Sequence, residues 1–336
     1  MSSERYARQT RFEPLGLAGQ AAISRSRAVI VGCGALGGTS AELLARAGCG
    51  HLTLIDRDYV EINNLQRQVL FSEADAKEGL PKAIAAQRRL RAINSYIEIQ
   101  GVIDDLMAHN ADDLLGGANV IVDGTDNFEA RYLINDYAVK HGVDWIYGAA
   151  LGSYGLVMPI LPGRSACFRC VYPSPPEGAQ PTCETEGVLG PITSMVGSLQ
   201  AAIALQILSG NRASVRLKIA TSDVWYGPLR EIDQPDRQPT CPCCGQLNFE
   251  WLTGGREAPA SLCGRNAVQI HSRDKSVDLA DLRLRLAGMG EVRANEFALR
   301  LRKDPYEITV FSDGRAIVKG TTDIGVARAV YAQLLG

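Results

Sequence analysis

The order of apolar runs along the 336-residue chain predicts an α/β protein. A parallel sheet covered by helices on both faces comes first, antiparallel strands join it later, and a small α+β appendage ends the chain. Three observations predict this. Strands and helices alternate through the first third, a glycine turn links an early strand to a helix, and the composition is that of an ordinary globular protein. Hydrophobic residues make up 46% and charged residues 21%, and 35 Lys+Arg against 37 Asp+Glu leave a net charge of -2. That balance excludes a disordered or coiled-coil chain and one that holds nucleic acid or an anionic membrane through bulk charge. At about 100 to 200 residues per domain, two domains are expected.

The elements follow in order. The strand Ala28 to Gly32 is rich in Val and Ile and runs straight into the turn GCGALGG. Apolar residues at helical spacing follow and stop at Gly48 and Gly50. A strand from His51 to Asp56, the helix PKAIAAQRRLRAIN, the strand YIEIQGV, a short helix near His109 to Leu115 and the strand Val120 to Asp126 continue the alternation. From Asp144 two close strands, DWIYGAALG and GLVMPIL, predict antiparallel additions. The stretch VYPSPPEGAQPTCETEGVLGP has no periodicity and reads as a long functional loop. The helix TSMVGSLQAAIALQILSG comes next, broken as a membrane span by Gln200 and Gln206. Strands are expected at LKIATSD and near Gly227 to Ile232. Residues 1–253 are expected to form one domain, 254–264 a linker, and 265–336 a small α+β domain. Within that last domain the strands are AVQIH, EFALRLR, YEITVFS and RAIVKG, and the helices LADLRLRLAG and DIGVARAVYAQLLG.

Gly32-Cys33-Gly34-Ala35-Leu36-Gly37 matches GxGxxG between a strand and a helix, and Asp56 ends the next strand. Such glycines let backbone amides approach a phosphate at a helix N-terminus, and a carboxylate at the second strand end suits ribose hydroxyls. The fingerprint alone favours a dinucleotide. The residues after it favour a triphosphate with Mg²⁺: Arg67, Lys82 at a helix start, and Asp126 in Asp123-Gly124-Thr125-Asp126-Asn127. Each has a plainer reading: a surface arginine, a helix-opening lysine, and an N-cap at Asp126.

Arg8-Gln9 after Arg5-Tyr6, the glycine turn, Asp56-x-Asp58, Asn63-Asn64-Leu65-Gln66-Arg67-Gln68, Gly79-Leu80-Pro81-Lys82 and Gly124-Thr125-Asp126-Asn127 occur in that order. In this the chain resembles the MoeB/ThiF group of E1-like adenylyltransferases over roughly residues 1–250. The resemblance implies a Rossmann-like E1 adenylation fold with a mixed sheet and a zinc-binding region. It also implies an ATP-dependent enzyme that adenylylates the C-terminal glycine of a ubiquitin-like sulfur carrier protein, giving an acyl-adenylate and pyrophosphate. Gly34, Ala35, Gly37 and Asp56, with Asp58 beside them, would hold the nucleotide. Asn63, Asn64, Arg67 and Lys82 would meet its phosphates, Asp126 with Asn127 would serve Mg²⁺, and Arg8 would reach across a homodimer interface. Ala35 departs from the glycine that many members carry there, and the spacing from Arg67 to Lys82 varies among them.

Nine cysteines form an odd set in a chain with no export signal. Cys167-x-x-Cys170 and Cys241-x-x-Cys244 together offer four thiolates for a closed tetrahedral Zn²⁺ site; redox dithiols or two unrelated buried pairs are the alternatives. Cys243 is out of step with that spacing. Cys183, on the polar loop, is a candidate nucleophile because exposure permits attack and thiolate formation. In the ThiF branch the matching cysteine is associated with a covalent link to the carrier. Cys33, Cys49 and Cys263 read as small buried hydrophobes.

The charged N-terminus, MSSERYARQTRFEP, leads to the expectation of a cytoplasmic protein with no membrane partner. Expected partners are a carrier with a C-terminal Gly-Gly, a second copy of the chain, and a sulfur donor protein, in thiamin or molybdopterin biosynthesis. The competing readings are an NAD-dependent dehydrogenase, whose nucleotide binding would ignore Mg²⁺, and a non-catalytic E1-like scaffold. The last 70 residues lack the Cys-x-x-x-x-Arg loop of a sulfurtransferase, and the single glycine of Leu334-Leu335-Gly336 is not a carrier tail.

Overall fold

The computed structural model describes residues 4–176, 181–183, 185–254, 261–262, 267–270, 277–312 and 314–335. Two compact units form, one within residues 1–76 and 81–256, the other within 77–80 and 257–336. The chain's first eight strands are β1 (Arg27–Val31), β2 (His51–Ile55), β3 (Glu98–Val102), β4 (Val120–Asp123), β5 (Asp144–Leu151), β6 (Tyr154–Ile160), β7 (Lys218–Asp223) and β8 (Arg230–Asp233). They make one sheet in the order β3-β2-β1-β4-β5-β6-β7-β8. Strands β1 to β5 pair in parallel, and β5 through β8 pair antiparallel. The expected change of sheet direction thus falls at the Leu151 to Tyr154 turn. The matching helices are α1 (Gly16–Ile23), α2 (Ala35–Ala47), α3 (Glu73–Glu78), α4 (Lys82–Ile93), α5 (Ala111–Leu115), α6 (Phe128–His141), α7 (Phe168–Val171) and α8 (Gly190–Leu208).

Strands β1 and β4 are central, and Ala28, Val29, Ile30 and Val120 to Val122 are wholly buried. Continuous apolar runs therefore mark them, as a doubly covered parallel sheet demands. Helices α2 and α8 lie close enough that a Cβ at Gly197 would meet the Leu36 carbonyl, and Ser40 Oγ donates to the Gly197 carbonyl at 2.9 Å. Among the described residues, α8 is the helix long and apolar enough to span a membrane. It instead buries Gln200, whose Nε2 donates to the carbonyls of Asp123 (2.7 Å) and Ile146 (3.1 Å). The residue read as breaking a membrane span ties α8 to the carboxyl end of β4 and to the first half of β5.

A second core lies between α6 and β5, where Tyr132, Trp145, Tyr147 and Phe168 pack with Cys167, Cys241, Cys243 and Cys244. Ring centroids separate by 5.2 Å for Tyr132–Phe168 and 5.0 Å for Tyr147–Phe168. Trp251 stacks on Tyr132 at 4.9 Å. The cysteine knuckles are part of this aromatic core.

The smaller unit holds a six-stranded antiparallel sheet of β9 (Ser261–Leu262), β10 (Ala267–Ile270), β11 (Glu291–Ala294), β12 (Ala298–Lys303), β13 (Tyr306–Phe311) and β14 (Ala316–Lys319). Its helices are α9 (Leu279–Arg285), N-capped by the Asp278 carboxylate, and α10 (Ile324–Leu335). Their apolar faces join one core with Leu299, Leu301, Ile308, Val310 and Val318. Across four strands the register lines up Glu291, Arg302, Glu307 and Lys319, a row of alternating sign. Two strands were not foreseen: β11, and β9, which lies inside the stretch read as a linker and pairs with β10. Both are too short to show periodicity. Cys263 and residues 255–260 of that stretch lie outside the described residues.

Gln200→Leu leaves two buried carbonyls without their amide donor. Urea unfolding should show a loss of about 1–3 kcal/mol; an unchanged midpoint would contradict the role assigned to Gln200.

Candidate active site

The site begins where β1 ends. Gly32 has a φ of 89°, and a Cβ there would collide with the Gly124 carbonyl; a Cβ at Gly37 would collide with the Gly32 carbonyl. Only glycine allows the turn after β1, the start of α2 and the end of β4 to meet backbone to backbone. Gly34 is the N-cap of α2, and Ala35 is its first residue, where a helical backbone accommodates alanine. The departure at Ala35 therefore leaves the turn intact.

Asp56, just beyond β2, closes the turn from the other side. Its Oδ2 accepts from Cys33 N at 2.7 Å and its Oδ1 from Asp58 N at 2.7 Å. Burial pushes the Asp56 carboxyl up, and the Lys82 ammonium opposes that shift. Lys82 opens α4 behind Pro81, is 7% exposed, and reaches Asp58 Oδ2 at 3.2 Å. Its own N–H donates to the Asp58 carbonyl at 2.8 Å, so α4 begins where the acidic strand end leads. Arg57 pairs with Asp105.

Asn63 and Asn64 lie in the 3-10 turn Ile62–Asn64, a capping box with Glu61. Asn64 Nδ2 donates to Asn63 Oδ1 at 2.9 Å, and Arg67 Nη1 to the Asn63 carbonyl at 2.9 Å. The turn backs onto the α8 N-terminus, where a Cβ at Gly190 would lie 3.0 Å from the Gln66 carbonyl.

At the end of β4, Asn127 is the N-cap of α6, accepting from Ala130 N at 2.8 Å. The N-cap considered for Asp126 is therefore taken by its neighbour, and Asp126 is exposed. Asp123, within the same motif but without an assigned role in the sequence reading, is 0% exposed and accepts from Thr125 N (2.8 Å) and Thr125 Oγ1 (2.7 Å). Arg131, missed altogether, is 7% exposed with Nε 3.5 Å from Asp123 Oδ2. Its spacing one turn into α6 gave only a helical surface signal.

Cys183 is half-buried, with Sγ 3.8 Å from the Ala150 carbonyl. Burial pushes its thiol up, against the pull of Arg67, and Asp126 and Arg131 lie in the same field. The loop thus leaves Cys183 within the field of Arg67, Asp126 and Arg131, with less exposure than its polar sequence suggested. Arg8 is not brought to these residues. Its neighbours are fastened at the far end of α2, with Gln9 Nε2 donating to the Ala47 carbonyl at 3.0 Å and Tyr6 Oη accepting from Asn94 Nδ2 at 2.9 Å. A 13-residue helix separates that end from the glycine turn, about 20 Å, and Arg8 is exposed.

The Sγ atoms of Cys167, Cys170, Cys241 and Cys244 all lie within 4.8 Å of one another. Separations are 3.9 Å for Cys167–Cys170, 3.6 Å for Cys167–Cys241 and 3.4 Å for Cys170–Cys244. Four thiolates about 2.3 Å from a central ion stand about 3.8 Å apart, so the cluster fits a tetrahedral metal. Cys243 is outside that set of four: its Sγ accepts from Asn135 Nδ2 at 3.2 Å and neighbours the Cys167 thiol. Cys33 and Cys49 are buried.

Residues 6–243 match the model of the ThiF family. The chain belongs to the ThiF family. This ThiF-family chain is 43% identical to the "Sulfur carrier protein ThiS adenylyltransferase" of Bacillus subtilis (strain 168), over 99% of each chain. It is 38% identical to a "Sulfur carrier protein adenylyltransferase" of Thermus thermophilus, over 72% of this chain and 90% of that one. It also aligns with 53% of "Adenylyltransferase and sulfurtransferase MOCS3" of Sus scrofa, at 39% identity over 72% of its own length. The crystal structure of E. coli MccB with ATP superposes at a TM-score of 0.62, with 24% identity over 72% of this chain and 74% of that one, and shares the fold.

The cysteine cluster has a pH signature. The hydrogen bond with Cys167 and burial push Cys170 up to about 12, and burial with Cys170 pushes Cys244 up to about 11. Metal ligation needs thiolates, so uptake releases protons and affinity falls as pH is lowered. Co²⁺ titration should give the thiolate charge-transfer band of a tetrahedral site, weaker at pH 6 than at pH 8. Cys167→Ser should abolish it and Cys243→Ser retain it; loss on Cys243→Ser alone would move the ligand assignment.

Proposed function

We propose that this chain is a nucleotidyltransferase that uses ATP to adenylylate the C-terminal glycine of a ubiquitin-like sulfur carrier protein. The observation that carries the reading is a glycine turn held by Asp56, with Lys82 on Asp58 and with Gln68, next to Arg67, and Gly124, two residues before Asp126, close to it, in a chain aligned over 99% of its length with a ThiS adenylyltransferase. The dehydrogenase alternative asks for a neutral nicotinamide pocket, and the charges at the strand ends do not supply one.

The carrier's terminal carboxylate attacks the α-phosphorus of ATP. A P–O bond forms to the carboxylate, the bond to the bridging oxygen breaks, and pyrophosphate leaves with its electron pair. The nucleophile is already an anion, so no general base is required. The residues position the reactants and neutralise charge that spreads over phosphate oxygens in the transition state. Amides of the turn from Gly32 to Gly37 face the phosphates at the α2 N-terminus, with Gly34 and Ala35 at the closest approach. Asp56 accepts ribose hydroxyls on the lone pairs that its bonds to Cys33 N and Asp58 N leave open. Asp58 keeps the Lys82 ammonium near the phosphates, and Asn63 and Asn64 from the 3-10 turn, with Arg67 just after it, approach them.

Asp126, an exposed hard-oxygen donor at a strand end, suits Mg²⁺, which takes few protein carboxylates when substrate phosphates complete its shell. When bound, Mg²⁺ offsets phosphate charge and helps pyrophosphate depart. Zn²⁺ on Cys167, Cys170, Cys241 and Cys244 would clamp two distant segments into the aromatic core. Arg8, fixed at the far end of α2, serves the site of a partner subunit in a homodimer. Cys183 stands beside the arginines, where a thiol can meet the activated glycine, and a sulfur donor protein would act after it. No disulfide joins the described cysteines, which suits a reducing, cytoplasmic setting.

Two measurements test this. Mass spectrometry should detect the carrier-adenylate with wild-type enzyme, and Arg67→Ala or Asp126→Ala should lower its formation by about 100-fold or more with the fold intact; undiminished adduct would remove those roles. Mixing inactive Arg8→Ala and Asp126→Ala chains and letting subunits exchange should restore about one quarter of the activity, because only one site of each mixed dimer is complete. No recovery would place Arg8 outside the partner's site.

A further inference from the structure

The ion pair at the end of β4 is buried more deeply than nucleotide contact explains. Asp123 is 0% exposed and Arg131 is 7% exposed. Such a pair is a poor source of net stability, because desolvation offsets most of its attraction. Its geometry indicates what else it does. Arg131 Nη2 donates to the Thr125 carbonyl at 2.8 Å, and its Nε lies 3.5 Å from Asp123 Oδ2. The other face of the Asp123 carboxylate accepts the Thr125 amide and hydroxyl. Amide, hydroxyl and carbonyl of Thr125 are therefore all engaged, two by Asp123 and one by Arg131.

The guanidinium is itself immobilised. It sits over the rings of Phe128 at 5.3 Å and Tyr147 at 5.1 Å, contacts that favour a cation in a desolvated site. Gln200 Nε2 holds the Asp123 carbonyl at 2.7 Å. On the far side, Asn127 caps α6 through Ala130 N. Asp126 is the exposed residue between these two anchors. Its backbone has little freedom, and its carboxylate is presented from a fixed point at the strand end.

We propose that Arg131 is a positioning residue, which acts through the Thr125 carbonyl and Asp123 to hold the Asp126 carboxylate where a nucleotide-bound divalent cation is met. The inference rests on the reading of Asp126 under Proposed function. Arg131 touches neither nucleotide nor cation; its effect is on the affinity of the cation and not on that of the nucleotide.

Mn²⁺ serves as the probe, as a paramagnetic stand-in for Mg²⁺. Its binding to the enzyme with an α,β-methylene ATP analogue is read by electron paramagnetic resonance, and analogue affinity is measured separately in EDTA. Arg131→Lys keeps the charge but loses the planar reach to Thr125. The double variant Asp123→Asn with Arg131→Met removes both charges and leaves neither one buried alone. Both should bind Mn²⁺ at least about tenfold more weakly, the usual scale for a residue that orients a metal ligand, with analogue affinity in EDTA within about twofold of wild type. Thr125→Val, which drops only the hydroxyl contact, should move Mn²⁺ affinity the same way by about threefold and needs no change in the buried pair.

Unchanged Mn²⁺ affinity in folded Arg131→Lys and in Thr125→Val overturns the proposal. So does a parallel loss of analogue affinity in EDTA, the mark of general structural damage. Asp126→Asn is the reference: if it binds Mn²⁺ as wild type does, the reading of Asp126 itself falls, whereas a weakened Asp126→Asn beside normal Arg131 and Thr125 variants removes only the positioning role.

Discussion

The contact on which the rest of the site depends is a backbone meeting of three glycines. Gly32, Gly37 and Gly124 come from the end of β1, the start of α2 and the end of β4, and a Cβ on any of them would strike the backbone of another. That approach draws the carboxyl ends of two neighbouring parallel strands against one helix N-terminus. A phosphate there meets amides and the positive end of a helix dipole without intervening side chains. Around the turn, Asp56 just beyond β2 holds Cys33 N, Lys82 at the start of α4 reaches Asp58, and Asp126 follows Gly124 by two residues.

Those charges alternate in a way that keeps each group defined before nucleotide arrives. Lys82 rests against Asp58, Arg131 against Asp123, and Asp56 against two backbone amides. A lone buried charge would change its protonation state or draw in water. Groups already held by a partner are oriented in advance, so less reorganisation is needed when phosphates bind. The cysteine cluster lies in the same unit, one aromatic layer from Arg131: the guanidinium covers Tyr147, and Tyr147 packs on Phe168 between Cys167 and Cys170. Its four thiols sit in an aromatic core, and a divalent metal would let them ionise together.

Much of this was legible in the sequence because it is local. A strand, a glycine turn and a helix are contiguous, so GxGxxG with Asp56 announced the nucleotide site, and Cys-x-x-Cys spacing announced each half of the cysteine cluster. The family order of short motifs tied Lys82 and Asp126 to the same place. What was not legible depends on packing between distant segments. Arg131 lies on a helix with ordinary surface spacing, and only the fold turns it back under Thr125. Gln200 looked like an interruption in an apolar helix, yet it is the donor that joins β4 and β5. Cys183 sat in a polar stretch and was expected to be exposed, but the loop folds it toward the Ala150 carbonyl. Strands β9 and β11 are too short for alternation to show, so pairing with a neighbour is their only signal.

The central claim is that these charges activate a carboxylate by transfer of AMP from ATP. Exchange of labelled pyrophosphate into ATP measures that step directly and reversibly. The account predicts exchange that requires Mg²⁺ and a sulfur carrier ending in Gly-Gly, and that disappears when the carrier's terminal glycine is deleted. Binding of Mg-ATP with no exchange for any intact carrier would contradict it.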